Sequence, residues 1–408
     1  MINILRFITL FFFLLIFNIS NAQSDFLIQI GLKDSIQSNV LNETRDFYVE
    51  LPDSYVPGSD YRYPVVYILD GDVQLPVLHT IHSFYSGGYL PEMILVGVSN
   101  AKNRTRDLTT SKLGEAVNFN EENGEAENFT EFLTKELIPT VESKYPTSTY
   151  RTLIGHSYGG LFTINALLKH SEYFENYLAI DPSLDWDNQK LLKESKVLMK
   201  DADLSKKSLF LSIGGQLHMS NTEITIDNVM ADTTDMTMGS RSKIGFSKLA
   251  EKEKDFHFYW KFYPNDLHGT VPLPSIMDGL LAMFEWYQME NVNKFNDPEA
   301  TVEELTAIIK HREKKLHDHF GYKEAPYPDF LFNMKGYMSM EMGQNELAKM
   351  YFTLNTEYYP NDANSYDSLA DYYESQKEND KALENVMKAY ELSKSDYHKK
   401  RVEDLKAK

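Results

Sequence analysis

The segment Gly155–Gly159, with the sequence Gly-His-Ser-Tyr-Gly, constrains the fold more than any other part of the chain. Thr152–Ile154 before it predicts a short buried strand, and Leu161–Leu168 after it predicts a largely apolar helix. The pattern G-x-S-x-G between a strand and a helix is typical of a nucleophile elbow, a sharp turn that exposes the serine hydroxyl. Glycines allow the strand and the helix to approach closely at such a turn. We therefore predict that Ser157 is a nucleophile; the alternative is a tight turn with an inert serine.

Strand and helix patterns alternate over residues 27–290. Strands are predicted at Phe47–Leu51, Val65–Leu69, Met93–Val98, Tyr177–Ile180, Leu209–Ile213 and Phe256–Tyr263, and helices at Ala126–Ser143 and Ser275–Tyr287. Continuous apolar runs such as Val65–Leu69 are typical of strands covered on both faces, as in a parallel sheet. The alternation therefore predicts an α/β fold, with helices packed on a largely parallel sheet.

The first 22 residues have the layout of a secretory signal peptide. Arg6 supplies positive charge, Phe7–Phe17 is almost wholly apolar, and Ser20–Ala22 ends in small residues. The apolar run is short for a membrane span, and the alternative is an uncleaved anchor. We therefore predict a periplasmic or secreted protein of bacterial origin, with no stable membrane anchor after cleavage.

Composition excludes several classes of function. The formal net charge is −19 and no basic cluster occurs, so a nucleic-acid partner is not expected, because phosphate binding needs a concentrated basic face. The chain has no cysteine, which excludes disulfides, thiolate metal sites and a cysteine nucleophile.

The composition changes near Asn296–Pro298, which predicts a hydrolase domain over residues 23–295 and a helical domain over 296–408. Within the second domain, Gly336, Ala348 and Phe352 correspond to Ala370, Ala382 and Val386, each 34 residues later. This period resembles that of tetratricopeptide repeats, which commonly present a surface to a protein partner. The alternative is an ordinary helical hairpin extension.

A serine hydroxyl needs a base to accept its proton. In the α/β-hydrolase chain order the histidine comes last, in a loop at the carboxyl edge of the sheet. His268 follows the last predicted strand and precedes the last predicted helix of the hydrolase domain, whereas His170, His218 and His257 lie elsewhere in the pattern. We therefore predict that His268 is the general base, and that neither a cofactor nor a metal is required.

The acid that orients the histidine is expected after the strand Leu209–Ile213, but the turn Gly214–His218 has no carboxylate. The following loop contains four candidates, at Glu223, Asp227, Asp232 and Asp235. Each could also be an ordinary solvated carboxylate. A serine–histidine dyad, oriented by a backbone carbonyl or a water, stays open as an alternative.

The oxyanion hole is predicted to combine the Tyr158 N–H with an N–H of Gly71 or Asp72, which follow the strand Val65–Leu69. Asp70 and Asp72 could instead indicate a metal site, but two acids without a further ligand are a weak pattern.

Arg104 and Arg106 follow the strand Met93–Val98 and are candidates to bind an anionic or polyoxygenated substrate. The alternative is a structural clamp between these arginines and aspartate.

Five segments together resemble the putative-esterase family of α/β-hydrolases: Tyr67–Gly71, Asn103–Thr109, Glu131–Pro139, Gly155–Gly160 and His268–Pro272. The resemblance spans about residues 27–290 and is greatest to the periplasmic siderophore-ester branch. It implies a serine esterase with Ser157 as nucleophile and His268 as base. Similarity to repeat-bearing members also implies that Asp232, in an Asp-Thr pair, is the acid.

The sequence therefore predicts an exported serine esterase that acts on a small-molecule ester, of siderophore or aromatic feruloyl-like type, through an acyl-enzyme on Ser157. Two alternatives are a catalytically inert binding protein, in which the repeats recruit a partner, and an acyltransferase on the same fold.

Overall fold

The computed structural model describes residues 30–58, 61–114 and 119–407. The chain divides into two compact units, with the boundary between Gln288 and Met289. The predicted signal peptide over residues 1–22 lies outside the described residues. In the described part of the chain, no helix is both long and apolar enough to cross a membrane.

The first unit is built on an eight-stranded sheet in the order β1-β2-β4-β3-β5-β6-β7-β8. The strands are β1 Leu32–Ser38, β2 Glu43–Glu50, β3 Tyr63–Leu69, β4 Ile94–Val98, β5 Thr147–His156, β6 Asn176–Ile180, β7 Ser208–Gly214 and β8 His257–Tyr263. Strand β2 pairs antiparallel with β1 and β4, and the other pairs are parallel. The predicted α/β class is therefore confirmed.

Buried central strands explain why the sequence pattern was continuous rather than alternating. Every residue of β3, β4, β6 and β7 is buried, whereas the edge strand β8 is mostly half-exposed. Because both faces of a central strand are covered, each of its positions favours an apolar or small side chain.

Eight helices of the first unit are α1 Gly71–Tyr85, α2 Arg104–Leu108, α3 Ala126–Phe132, α4 Ile138–Lys144, α5 Tyr158–Lys169, α6 Trp186–Asp201, α7 Met238–Ala250 and α8 Pro272–Met283. The helix predicted over Ala126–Ser143 appears as α3 and α4, joined by a π-helical segment, Leu133–Leu137. Pro139 in the first turn of α4 explains the break. A proline ring cannot donate a hydrogen bond and clashes with the carbonyl four residues earlier, so the preceding turn widens.

The second unit is helical throughout its regular structure, as predicted. Its helices are α9 Val302–Phe320, α10 Asp329–Glu341, α11 Asn345–Tyr358, α12 Ala363–Ser375, α13 Asn379–Ser393 and α14 Asp396–Lys406.

Two hairpins of the second unit, α10–α11 and α12–α13, have the predicted spacing of 34 residues, since their first helices begin at Asp329 and Ala363. Gly336 is required in the first hairpin, because a Cβ there would lie 2.5 Å from the Phe352 ring. Large side chains are exposed at every fourth position along α10 and at the residue after it, at Phe330, Met334, Met338 and Met342. The tetratricopeptide assignment and the protein partner stay predictions.

Candidate active site

Ser157 occupies a strained turn between β5, which ends at His156, and α5, which begins at Tyr158. Its backbone dihedrals are φ 61° and ψ −115°, which residues with a side chain rarely adopt. A Cβ at Gly155 would lie 2.2 Å from the carbonyl oxygen of Gly159, so the turn can close only around glycine. This geometry is that of a nucleophile elbow, with the serine held at the end of a central strand.

The Ser157 hydroxyl lies beside a second hydroxyl. Its Oγ is 3.3 Å from Ser183 Oγ, and the Ser183 N–H donates to the Ser157 carbonyl oxygen at 3.1 Å. Within the described residues, Ser157 Oγ makes no hydrogen bond to the His268 ring. Hydrogen bonds of catalytic groups often tighten only once substrate is bound. The missing hydrogen bond between Ser157 and His268 is therefore compatible with proton transfer between them.

A carboxylate that directly follows β6 binds His268. Asp181 Oδ2 lies 2.6 Å from His268 Nδ1. Because an ionised carboxylate can only accept, Nδ1 carries the proton and Nε2 is left as the acceptor of the imidazole. The side chain of Asp181 is 4% exposed and that of His268 is 47% exposed. The ring is therefore anchored on its buried side and open to substrate on the other.

Asp181 is held by two further donors. The Lys243 ammonium of α7 and the Gly214 N–H at the end of β7 both donate to Oδ1, the latter at 3.0 Å. Burial alone would raise the pKa of Asp181, but the hydrogen bond from His268 and the charge of Lys243 outweigh it. The pKa of Asp181 therefore lies well below its ordinary value, and the carboxylate stays ionised at working pH.

The structure does not bring Asp232, the acid predicted from the sequence, to His268. Its carboxylate instead accepts from Thr234, at 3.0 Å from the backbone N–H and 2.8 Å from Oγ1. Those two hydrogen bonds close a local turn and lower the pKa of Asp232. Asp181, and not Asp232, therefore contacts His268 Nδ1 in the structure, which makes Asp181 the candidate for the orienting acid.

Of the other predicted candidates, only Asp235 lines the same cavity as His268. Among the histidines set aside in the sequence, His170 lies 2.7 Å from Glu127, and His218 Nδ1 accepts from the N–H of Asn221 at 2.8 Å. Neither ring therefore competes with His268 for the position next to Ser157.

His156, the residue before the nucleophile, holds the backbone of His268. Its Nε2 lies 2.8 Å from the His268 carbonyl oxygen, and the two ring centroids are 4.6 Å apart. A carbonyl oxygen can only accept, so Nε2 carries the proton. Burial and the neighbouring His268 ring lower the pKa of His156 to about 4. His156 is therefore neutral at working pH and adds no charge beside the base.

The predicted oxyanion donors lie at two helix N-termini. Tyr158 is the first residue of α5, and Gly71 and Asp72 are the first two of α1. N–H groups at these positions have no acceptor within their own helix and can bind an anion. A Cβ at Gly71 would lie 2.4 Å from the backbone of Gly97, so the approach of α1 to β4 requires glycine.

Arg104 links the two halves of this candidate oxyanion hole. It donates to both oxygens of Asp70, at 2.8 and 2.9 Å, and to the His156 carbonyl oxygen at 3.0 Å. Its guanidinium also lies 5.5 Å from the centroid of the Tyr158 ring. Of the two interpretations of Arg104, these contacts favour the structural clamp. The side chain is 32% exposed.

Arg106 lies outside this arrangement. It binds Glu43 at 2.7 Å and Asp107 at 2.8 Å, and Asp107 in turn binds Arg45. The Arg106 side chain is 13% exposed and that of Asp107 is fully buried. These contacts make Arg106 part of a structural ion cluster and do not support the substrate-binding role predicted for it.

The carboxylates predicted as a weak metal pattern are both engaged by protein donors. Asp70 binds Arg104, and Asp72 accepts from Tyr48 at 2.8 Å and from Ser99 at 2.6 Å. They consequently hold the α1 N-terminus in place on the neighbouring strands.

A cavity of about 270 Å³ opens beside Asp181 and His268. Ser183, His268 and Lys243 line its inner side, and Met219 and Met236, both largely exposed, line its rim. Most of the lining is polar, and Pro182, Leu217 and the two methionines supply its apolar side chains. A concave site in which polar groups converge beside apolar side chains can hold a small molecule.

Sequence reasoning missed Asp181, Ser183 and Lys243. Asp181 does carry a recognisable pattern, because it is a carboxylate directly after a buried strand, at the carboxyl edge where α/β sites lie. Lys243 has no such pattern, since its position on α7 looks like any helical lysine.

The family comparison agrees with this geometry. The family described as Putative esterase matches residues 38–271, which is more than half of the chain. The chain belongs to this family. The matched range includes β2 to β8, the serine turn, Asp181 and His268.

Several curated relatives of this chain are siderophore esterases. The chain is 31% identical to the ferri-bacillibactin esterase BesA of Bacillus subtilis over 173 residues, which cover 38% of this chain and 59% of that protein. It is 26% identical to the apo-salmochelin esterase of Escherichia coli over 246 residues, or 57% of this chain and 73% of that protein. The chain thus spans about three fifths of the length of BesA.

Solved structures extend the likeness. An IroE-like serine hydrolase from Shewanella oneidensis has a TM-score of 0.64 and 27% identity, covering 80% of this chain and 99% of that one. An uncharacterised protein from Capnocytophaga ochracea covers 92% of this chain and 99% of its own, with a TM-score of 0.58 and 18% identity. The second likeness concerns the fold alone, and it includes the helical unit.

Proposed function

We propose that this protein is an exported serine esterase that hydrolyses a small-molecule carboxylic ester through an acyl-enzyme on Ser157. The observation that carries the proposal is the hydrogen bond between the buried Asp181 carboxylate and His268, near a serine in a strained strand–helix turn. Family membership supports the same class of reaction.

In the first half-reaction, Ser157 Oγ attacks the ester carbonyl carbon while its proton moves to His268 Nε2. Asp181 accepts from Nδ1–H throughout, which keeps Nε2 available and stabilises the imidazolium as it forms. The tetrahedral intermediate collapses by breaking the bond to the alkoxy oxygen, and His268 returns the proton to the departing alcohol. The acyl group is then bonded to Ser157 Oγ.

In the second half-reaction, water attacks the acyl carbon and gives its proton to His268. Collapse of the new intermediate releases the acid and returns the proton to Ser157 Oγ. In both halves the negative charge develops on the carbonyl oxygen, where N–H groups from Tyr158 and from Gly71 or Asp72 would bind it. Such fixed donors commonly supply a large part of the rate enhancement.

The substrate we propose is a siderophore-type or aromatic ester whose bulk enters the cavity beside His268. Two observations support this: the relatives named above act on siderophores, and the methionine side chains at the cavity rim suit aromatic rings. Export is proposed from residues 1–22 alone.

The direct test uses a fluorophosphonate probe and a panel of p-nitrophenyl, feruloyl and siderophore esters with the mature full chain. Wild-type protein should be labelled and should hydrolyse at least one ester. Ser157→Ala should abolish labelling and lower kcat by about three or more decades. Ser183→Ala is the matched control, because its hydroxyl lies only 3.3 Å away, and it should still be labelled.

Labelling that is lost in Ser183→Ala and kept in Ser157→Ala would identify Ser183 as the nucleophile in place of Ser157. A folded wild-type protein that neither reacts with the probe nor hydrolyses any ester would overturn the proposal and favour an inert binding protein.

A further inference from the structure

The carboxylate that orients His268 also carries an ion pair on its other oxygen. Lys243 Nζ and the Gly214 N–H donate to Asp181 Oδ1, whereas His268 Nδ1 donates to Oδ2. Asp181 therefore lies between a permanent cation and a ring that becomes a cation during the reaction.

This ion pair is largely withdrawn from solvent. The side chains of Lys243 and Asp181 are 11% and 4% exposed. A buried charge interacts strongly with a partner at contact distance and is costly to leave unpaired. An exposed lysine at this place would be a minor contributor, but this one shares a carboxylate with the base of the reaction.

Two effects follow from this contact. The ammonium charge helps to keep the buried carboxylate ionised, so that His268 always has an acceptor. The contact also holds the carboxylate by Oδ1, which leaves Oδ2 directed at His268 Nδ1.

We propose that Lys243 is a positioning residue of the esterase reaction: it fixes Asp181 toward His268 by holding the other oxygen of that carboxylate. This inference rests on the proposed function, since it requires His268 to act as the base. Lys243 acts through Asp181 and is not assigned a contact with substrate.

Other charged groups near the pair do not supply this effect. His156, on β5, is neutral because its pKa is about 4. Arg104 is bound to Asp70. Asp185 and Asp235 line the same cavity and carry the opposite charge. Among the described residues, Lys243 is therefore the cation in direct contact with the carboxylate of the pair.

The test is the kinetic profile, kcat and KM measured separately on one ester, of three variants of the full chain. Lys243→Met removes the charge with little loss of side-chain length and should lower kcat by roughly tenfold with KM within about twofold, because a displaced acid misorients the base and not the substrate. Lys243→Arg should restore kcat toward the wild-type value. Lys248→Met removes an exposed charge from the same helix and should leave the profile unchanged.

A double variant keeps the test decisive if Lys243→Met alone fails to fold. Asp181→Asn with Lys243→Met removes both charges and leaves no unpaired buried ion. Its kcat should equal that of Asp181→Asn alone, because Lys243 then has no carboxylate to position. A further loss of kcat in the double variant would show an effect independent of Asp181 and overturn the inference.

A folded Lys243→Met with a wild-type profile would also overturn the inference, while Ser157-dependent hydrolysis would leave the proposed function intact. Wild-type protein without Ser157-dependent hydrolysis would overturn both.

Discussion

The carboxyl ends of β6 and β7 are adjacent in the sheet and contribute different groups to the candidate site. β6 is followed directly by Asp181, which supplies the charge, whereas β7 ends in Gly214, which supplies a backbone N–H at 3.0 Å from that carboxylate. The sequence argument expected the acid after β7. The difference teaches that the position of an orienting acid is set by its reach to the histidine and not by which strand carries it.

The glycines after β7 have a second role, which is to admit the chain that carries His268. The Gly215 N–H donates to the Asp266 carbonyl oxygen at 2.7 Å. A Cβ at Gly215 would lie 2.3 Å from the Pro264 carbonyl oxygen. A carboxylate-bearing residue at that position would displace this loop, so the end of β7 is occupied by backbone and the acid lies on the neighbouring strand.

The largest expected effect concerns Asp181, the charged residue that follows β6. Asp181→Asn should lower kcat by about three to four decades, because an amide can stabilise the wrong tautomer of His268 and cannot stabilise the imidazolium. Steady-state kinetics on the best ester, with circular dichroism to verify the fold, measures this loss. A loss of less than tenfold would return the site to a serine–histidine dyad.

The glycine side of the comparison predicts an intermediate effect. Gly215→Ala places a methyl group against the backbone at Pro264 and should shift the loop carrying His268, lowering kcat/KM by roughly ten- to a hundredfold. Gly88→Ala is the control, because a Cβ there meets open space. Unchanged kinetics in Gly215→Ala would mean that the loop tolerates displacement and that the glycine serves only the fold.

The smallest expected effect concerns the acid that the sequence favoured. Asp232→Asn removes the charge and one of the two oxygens that accept from Thr234 but no contact to His268, so kcat/KM should stay within about twofold of wild type. A loss comparable to that of Asp181→Asn would show that the loop rearranges in the working enzyme and would reverse the assignment.

Features encoded within a few residues could be predicted from the sequence. The serine turn depends on the glycines two positions before and after Ser157, and the central strands depend on their own apolar runs. His268 followed from chain order alone. These features need no knowledge of which distant residues meet.

The other contacts of the candidate site join residues far apart in the chain, and no local sequence pattern predicts them. Asp181 and His268 are 87 residues apart, and the Arg104 clamp joins Asp70 to the serine turn across 34 and 52 residues. A carboxylate after β6 looks like any strand-end aspartate until the folded loop brings a histidine against it. The two interpretations of Arg104 and Arg106, substrate binding and a structural clamp, could likewise be distinguished only from the groups that these side chains contact in the structure.

The position of the His156 ring, largely withdrawn from water beside His268, has a thermodynamic consequence. Because burial lowers the pKa of His156 from an ordinary value of 6.5 to about 4, the unfolded chain binds this proton before the folded chain does. Folding is thus coupled to proton release, and the free energy of unfolding should fall as pH decreases from about 6.5 toward 4. Urea unfolding at pH 7 and pH 5 should show this loss, and His156→Gln should reduce it. A residue within the nucleophile motif thereby makes acidity a determinant of how long the folded enzyme persists.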